Sequence, residues 1–333
     1  MNRSLFDRPH REAAALVASG APVVLCVDPV EYHGPHLSLH NDRQLSRGCM
    51  AELAQRVQSR HGLPLLLADH LELGVDPCAG PGSRPCAFSL VRDAVLASAR
   101  ALLSLGATRV VLMTFHGAPL HNLALEAGVS FLRRSGVRAL APFHAVLQDM
   151  LAFDNAMPFA EALRCIDDDD ERAAVARELR FDFHAGFFET SLALHWAPET
   201  VGDHHRALPP CPRYTADAKL TAAAAVARRL GREALARELE FGAAATGWGA
   251  LRPFPGYTGR PHLARASAGA AFADIIVDRF ATLMDTVIFG DATPPKPVLA
   301  WTRWATAQGR LLPHAPLGFD DVIAGPTAAT SID

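Results

Sequence analysis

The sequence has 333 residues, of which 50% are hydrophobic and 20% are charged. This balance is typical of globular proteins and excludes a wholly disordered chain, a collagen-like repeat and a coiled coil. The 32 basic and 35 acidic residues give a net charge of -3, without the basic excess of nucleic-acid-binding proteins. No apolar run reaches the roughly 18 residues of a transmembrane helix, and residues 1–20 lack a secretory signal. We therefore expect a cytoplasmic protein without nucleic-acid or membrane partners.

The six cysteines are scattered and form no CxxC pair, which argues against a disulfide framework and against a cysteine-only zinc site. The 15 histidines are many for this length, and histidine is a common metal ligand and proton carrier. Their positions along the chain therefore carry more information than their number.

Helices and strands are predicted to alternate through the first half of the chain. A short helix over 10–19 ends at Gly20. Apolar runs predict buried strands over 22–27, 63–69, 108–115 and 137–143. Amphipathic stretches between them predict helices over 42–62, 89–106 and 120–136. This alternation predicts parallel strands joined by crossover helices, and hence an α/β domain with a mainly parallel sheet.

The second half of the chain is predicted to be mostly helical. The segment 157–180 contains the acidic run Asp167–Asp170, which is interpreted as a solvated loop and helix N-terminus rather than as a cation site. Further predicted segments are a surface helix pair or insertion over 218–242, a loop over 247–261 and a long helix over 264–290. No linker separates two cores. We predict one domain over 1–290, followed by an extended arm over 291–333.

Polar side chains concentrate directly after the first predicted strand, in DPVEYHGPHLSLHND (28–42). The candidates here are Glu31, His33, His36, His40 and Asp42. Ligands of open α/β sheets bind beyond the carboxyl ends of the strands, which is where this loop lies. Carboxylates mixed with imidazoles suit Zn, Mn or Fe better than Ca or Mg. A chance cluster of surface residues is the alternative interpretation.

Two further clusters are expected at the same edge of the sheet. TFHGAPLHN (114–122) places His116 just beyond the third strand, with His121 at the start of the next helix. FDFHAGFFETSLALHW (181–196) contains His184, and Glu189 lies on a largely apolar helix face. A buried carboxylate needs a partner, which could be a metal ion or an arginine such as Arg180 or Arg206.

These three segments carry a family resemblance. EYHGPHLSLHND resembles the ExHGxHLPxxTD signature of the creatininase (creatinine amidohydrolase) family, FHG resembles its NxHGGN segment, and DFHAGFFETSLAL resembles its DxHAGxxETS segment. TGRPHLARASAGAAFADIIV weakly resembles a later GxPxxAxxxxG stretch of the family, and the similarity extends over residues 20–290. The resemblance implies a single three-layer α/β/α domain that binds two divalent metal ions.

The resemblance also implies the activity, a metal-dependent cleavage of a C–N amide bond in a cyclic amide, a formamide or a small peptide. A hydroxide that bridges the two metals would be the nucleophile, because two metals that share it lower its pKa. Glu31 and His116 would hold one metal, His33 and Glu189 the other, and Asp42 would bridge them. His184 and Glu189 are the candidate catalytic residues, with His184 binding substrate or carrying a proton to the leaving nitrogen.

One departure from the family bears on specificity. Ala118 stands where creatininase itself has a metal-binding glutamate, so Glu189 is expected to supply that ligand, and creatinine is not predicted as the substrate. The partners implied are a small-molecule amide and further copies of the chain, since family members are commonly hexamers. A non-catalytic metal-binding protein of the same fold is the alternative. A serine or cysteine hydrolase is disfavoured because no GxSxG motif occurs and Cys26 lies inside a predicted strand.

Overall fold

The computed structural model describes residues 4–312 and 315–325. Four parallel strands form one sheet in the order β2-β1-β3-β4. These strands are β1 (Val23–Val27), β2 (Leu66–Leu71), β3 (Arg109–Met113) and β4 (Arg138–Leu140). On β1, Val23 is in register with Leu66 of β2 on one side and with Val110 of β3 on the other. The parallel sheet confirms the predicted α/β class, with strand ends that differ by a few residues from the predicted ones.

Helices follow the strands in the predicted alternation. Those of the first half are α1 (His10–Ala18), α2 (Asn41–His61), α3 (Phe88–Ser104), α4 (Pro119–Arg134) and α5 (Phe143–Ala152). Those of the second half are α6 (Ala160–Leu163), α7 (Asp169–Glu178), α8 (Phe187–Trp196), α9 (Ala218–Arg229), α10 (Glu233–Gly249), α11 (Ala266–Leu283) and α12 (Thr302–Ala305). In the described part of the chain, no helix is long and apolar enough to cross a membrane.

Alternate residues of the strands pack into two separate cores, one on each face of the sheet. Val24 and Cys26 of β1 pack with buried side chains of α2, α8 and α11. Val23, Leu25 and Val27 of the same strand pack with α1, α3 and α4. Helices therefore cover both faces, which gives the three-layer α/β/α arrangement.

In the second half of the chain, the helices differ in detail from the predicted ones. The alanine-rich stretch forms a helix pair, α9 and α10, and α10 continues into the region predicted as a loop, so that Trp248 lies on a helix. Asp168 caps α7 by accepting a hydrogen bond from the backbone N–H of Glu171, and Asp167–Asp170 are exposed. The acidic run is thus the solvated helix start that we expected.

The division at residue 290 stays a prediction, but part of the following tail contacts the domain. Val322 forms a bridge with Phe254, and Leu317 donates a backbone hydrogen bond to the carbonyl of Ala79 (2.5 Å). Residues 313–314 and 326–333 of the predicted arm lie outside the described residues. The described part of the tail after residue 315 is therefore hydrogen-bonded to the domain.

Candidate metal centre

Six buried acidic and imidazole side chains meet beyond the carboxyl ends of β1 and β3. The loop after β1 provides Glu31 and His33, and the first turn of α2 provides Asp42. The segment after β3 provides His116, while far along the chain His184 precedes α8 and Glu189 lies in the first turn of α8. The sheet therefore brings together the three sequence clusters at one edge, where ligand sites of α/β folds occur.

Glu31, Asp42 and His116 form the first group within this centre. The Nδ1 atom of His116 lies 2.8 Å from Oε2 of Glu31 and 3.5 Å from Oδ2 of Asp42. Cys78 donates its backbone N–H to the other oxygen of Glu31 (2.6 Å), which fixes the orientation of that carboxylate. Two carboxylate oxygens and one ring nitrogen therefore point at a common position.

His33, His184 and Glu189 form the second group. The Nε2 atom of His33 lies 3.9 Å from Oε2 of Glu189 and 3.1 Å from Oδ1 of Asp42. Asp42 thus directs one oxygen to each group, because its Oδ2 faces His116 in the first group. A carboxylate placed between two such groups has the position of a bridging ligand.

Backbone carbonyls fix the ring orientation of all three histidines. His33 Nδ1 donates to the carbonyl of Glu31 (3.1 Å), and His184 Nε2 donates to that of Tyr32 (2.9 Å). His116 Nε2 donates to the carbonyl of Val75 (3.0 Å). Because a carbonyl can only accept, each of these nitrogens carries the proton in the neutral ring, and the opposite nitrogen directs a lone pair into the centre. Metal-binding histidines are commonly held in this way.

The donor set fits divalent cations. Oε2 of Glu31 and Oδ2 of Asp42 are buried and have no hydrogen-bond donor among the described residues. Buried carboxylate oxygens without a donor are costly, and a cation compensates them strongly. Oxygen and imidazole nitrogen together suit Zn, Mn or Fe.

Burial and mutual charge shift the pKa values of the centre strongly. Burial raises the pKa of Glu189 to about 8, and it also raises that of Glu31. Burial alone would lower the pKa of His33, but the charges of Asp42 and Glu31 raise it to about 10. The protein alone therefore compensates its buried carboxylates with protons, and bound cations would replace those protons.

The remaining histidine candidates lie outside the two groups. His36 is buried and its Nε2 is 2.9 Å from Oγ1 of Thr190. His40 turns outward, with its Nε2 3.9 Å from a carboxylate oxygen of Glu72. His121 lies on α4, and its Nε2 contacts the carbonyl of Val27 (3.0 Å). These three contacts are structural, and the sequence offered no signal that separated them from His33 and His116.

Among the described residues, Glu189 has no arginine partner, in contrast to one alternative raised from the sequence. Arg180 pairs with Glu240 at 3.5 Å, whereas Glu189 accepts a hydrogen bond from the backbone N–H of Ala185 (2.6 Å) and faces His33. The start of α8 is held by Asp182, which accepts from the backbone N–H of Phe188 (2.9 Å). Gly186 is required there, because a β-carbon would lie 1.6 Å from Oδ1 of Asp182.

A cavity of about 350 Å³ opens onto the centre. Glu31, His116, His184 and Glu189 form part of its lining. Trp248, from the start of the segment predicted as a loop, also lines it, as do Cys78 and Leu317, which were not predicted from the sequence. Cys78 follows β2 as His116 follows β3, so the strand-end rule could have found it. No sequence pattern pointed to Leu317.

Comparison with known proteins agrees with this geometry. The family model described as creatininase, creatinine amidohydrolase, matches residues 8–284. This chain belongs to the creatininase family. No curated protein sequence matches it significantly.

Creatininase structures have the same fold. A crystal structure of creatinine amidohydrolase is 21% identical in sequence, with a TM-score of 0.55. The alignment covers 88% of this chain and 100% of the creatininase chain. A manganese form of creatininase is 20% identical (TM-score 0.52), with 86% and 99% of the two chains covered. A zinc–zinc form of a creatininase mutant is 19% identical (TM-score 0.53), with the same coverage. These creatininases carry the metals that their names state.

Proposed function

We propose that this member of the creatininase family is a metal-dependent amidohydrolase that cleaves a C–N amide bond with two divalent ions. The observation that carries the proposal is the position of Asp42, whose two oxygens face two separate groups of carboxylate and imidazole ligands. His33 lies 3.1 Å from one oxygen, and His116 lies 3.5 Å from the other. A single-ion site or a simple ion pair has no need of this divided arrangement.

The distances support one distribution of ligands over the two ions. Glu31 and His116 would hold the first ion, and His33 and Glu189 the second. Asp42 would serve both. Zn, Mn and Fe all fit this donor set, and the occurrence of manganese and zinc–zinc forms of creatininase supports the first two.

The metal ions and the side chains of the protein would have different roles at the scissile amide. Divalent ions in this position supply an activated water and a Lewis acid for the carbonyl oxygen. His184 lines the cavity, and its Nε2 is held by the carbonyl of Tyr32, so its unprotonated Nδ1 could accept a proton from the attacking water. Transfer of that proton to the leaving nitrogen as the C–N bond breaks would release the amine and leave the acyl part as a carboxylate.

Elemental analysis and a hydrolysis screen test the proposal together. The protein, purified and then reloaded with Mn or Zn, is assayed with lactams, formamides, hydantoin-like rings and small peptides. We expect two equivalents of metal per chain and chelator-sensitive hydrolysis of at least one amide class. Two bound metals without hydrolysis of any class would favour the alternative, a non-catalytic metal-binding protein. Failure to bind any metal would contradict both.

A further inference from the structure

The cavity beside the metal centre is enclosed on one side by the C-terminal tail. Ala315 and Leu317 line this cavity. Residues 315–325, here called the strap, follow the region that the family model matches, which ends at residue 284. The strap is thus a part of this chain that the family match does not explain.

Backbone hydrogen bonds hold the strap on the cavity. Leu317 donates to the carbonyl of Ala79 (2.5 Å), and Phe254 donates to the carbonyl of Asp321 (2.7 Å). Ile323 donates in turn to the carbonyl of Phe254 (2.9 Å), which completes a short bridge around the buried Val322. Hydrogen bonds at Leu317, and again at Asp321 and Ile323, therefore fix the position of the strap relative to the cavity.

Aromatic rings form the wall that the strap completes. Trp248 lies 5.4 Å from the ring of His184, 5.4 Å from that of Phe183 and 4.8 Å from that of Phe254, measured between ring centroids. Its indole N–H donates to the carbonyl of Tyr257 (2.9 Å), so the polar atom of this side chain is already satisfied. A continuous apolar wall thus runs from His184 to the strap, and Leu317 packs against it.

The lining of the cavity offers few basic groups to an anionic ligand. Among the described lining residues, histidines apart, the basic side chain is Arg252. Its guanidinium donates to the carbonyls of Gly249 (2.9 Å) and Leu251 (2.6 Å), at the end of its own helix. Recognition in this cavity therefore relies on burial of apolar surface.

We propose that the strap and the aromatic wall form an apolar chamber that selects neutral amides carrying a bulky aromatic group, with Leu317 as a specificity-determining residue. The inference rests on the proposed function for the position of the amide at the metal centre. The chamber volume of about 350 Å³ is at the lower end of small-molecule sites, and it accommodates one or two aromatic rings. The aromatic group lies against Trp248 and Leu317, and the amide reaches past His184.

Binding to the metal-free full-length protein tests the chamber without requiring catalysis. The probes for isothermal titration calorimetry are N-benzylacetamide, the smaller N-methylacetamide and the charged N-(4-carboxybenzyl)acetamide. We expect N-benzylacetamide to bind at least about tenfold more tightly than either of the others, because only it buries an uncharged ring. Equal affinities for the three probes would overturn the proposal.

Variants of the strap test its part in the selection. We expect L317D to weaken binding of N-benzylacetamide about tenfold and to leave binding of N-methylacetamide unchanged. F319A is the matched control, since Phe319 lies on the same strap with its side chain 85% exposed, and it should change neither affinity. L317A, which only enlarges the chamber, provides the same comparison if L317D does not fold. Unchanged affinity for N-benzylacetamide in both Leu317 variants would overturn the role of the strap.

Assays of the metal-loaded protein separate this inference from the proposed function. Leu317-dependent binding of N-benzylacetamide without hydrolysis of any amide would leave the chamber in place and contradict the hydrolase. Hydrolysis of N-methylacetamide and N-benzylacetamide with equal kcat/KM, unaffected by L317D, would support the hydrolase and overturn the chamber.

Discussion

The ring of His33 stacks on the ring of His184, with centroids 4.3 Å apart and planes at 26°. Two stacked imidazolium ions would repel each other strongly in a buried site. Burial and the neighbouring charge of His33 hold the pKa of His184 well below its usual value. His184 therefore keeps a lone pair on the ring nitrogen that is not bonded to Tyr32. In the stacked pair, His33 is therefore the ring paired with carboxylates, and His184 is the neutral ring at the cavity.

Replacement of Asp42 should weaken the binding of both metals. In D42N the shared side chain loses its negative charge, and one of its oxygens becomes an NH₂ group that cannot bind a cation. We expect metal affinity to fall at least about 100-fold and hydrolysis to disappear, with the circular dichroism spectrum unchanged. D93N is the control, because the Asp93 side chain on α3 is 63% exposed. Full metal content in D42N would contradict the bridging role.

Replacement of Glu189 should remove one metal and spare the other. The E189Q variant alters the group of His33 and His184 but leaves Glu31, Asp42 and His116 in place. We therefore expect about one equivalent of Zn or Mn per chain by elemental analysis, against two in the unmodified protein. Retention of two equivalents, or loss of both with the fold intact, would show that the ligands are distributed differently.

The thiol of Cys78 should be unreactive and dispensable. Its side chain lines the cavity, whereas its contact with Glu31 is made by the backbone N–H, which a substitution preserves. Burial and the charge of Glu31 raise the pKa of this thiol well above its usual value, so we expect N-ethylmaleimide to react with it slowly and to leave most of the activity intact. The C78S variant should likewise keep most of its activity. If C78S were instead inactive with metals bound, a cysteine nucleophile would have to replace the proposed mechanism.

Acidification should destabilise the fold through a histidine away from the centre. His144 is buried, and burial lowers its pKa below the usual value near 6.5. Below that pH the unfolded chain binds a proton that the folded chain does not, so the free energy of unfolding decreases as the pH falls. Urea unfolding between pH 7 and pH 5 should show this loss. In H144Q the decrease should be smaller, whereas H10Q, which alters an exposed histidine, should behave like the unmodified protein.

The contact between α8 and α11 should not tolerate a methyl group at Gly269. A β-carbon there would lie 1.9 Å from the carbonyl oxygen of Ser191, two residues beyond Glu189. We expect G269A to lower the free energy of unfolding by about 2–3 kcal/mol and to weaken metal binding, since α8 must shift. G249A is the control, because a β-carbon at Gly249 meets nothing within 4 Å. Equal stability of G269A and G249A would contradict the close approach.

Much of the fold was predictable because its signals are local. The apolar runs of the four strands and the glycines that end helices, such as Gly62, predicted the alternation of elements. The strand-end rule needs only the order of those elements to place Glu31 and His116 at one edge of the sheet. Glu189 was predictable in kind, since a carboxylate on an apolar helix face demands a compensating partner.

The remaining features depend on long-range packing that no local pattern encodes. The side chains of Glu31 and His33 serve adjacent groups although the two residues are close in sequence, and the ring of His33 is oriented by a hydrogen bond to the carbonyl of Glu31. From the sequence, His36 and His33 are equally good candidate metal ligands. The structure distinguishes them, because the ring of His36 contacts Thr190 instead of the metal centre. The approach of Leu317 to Ala79 joins segments far apart in the chain, so only the folded structure reveals it.

The centre assembles from residues as far apart as Glu31 and Glu189, so it exists only once both halves of the sheet and α8 have come together. An ion that binds there recognises the native state alone and adds about 2.7 kcal/mol of stability at a free concentration 100 times its Kd. The thermal resistance of this protein should therefore follow the metal supply of its surroundings. At low concentrations of the ion, the chain would unfold and be proteolysed more readily, in addition to losing its activity.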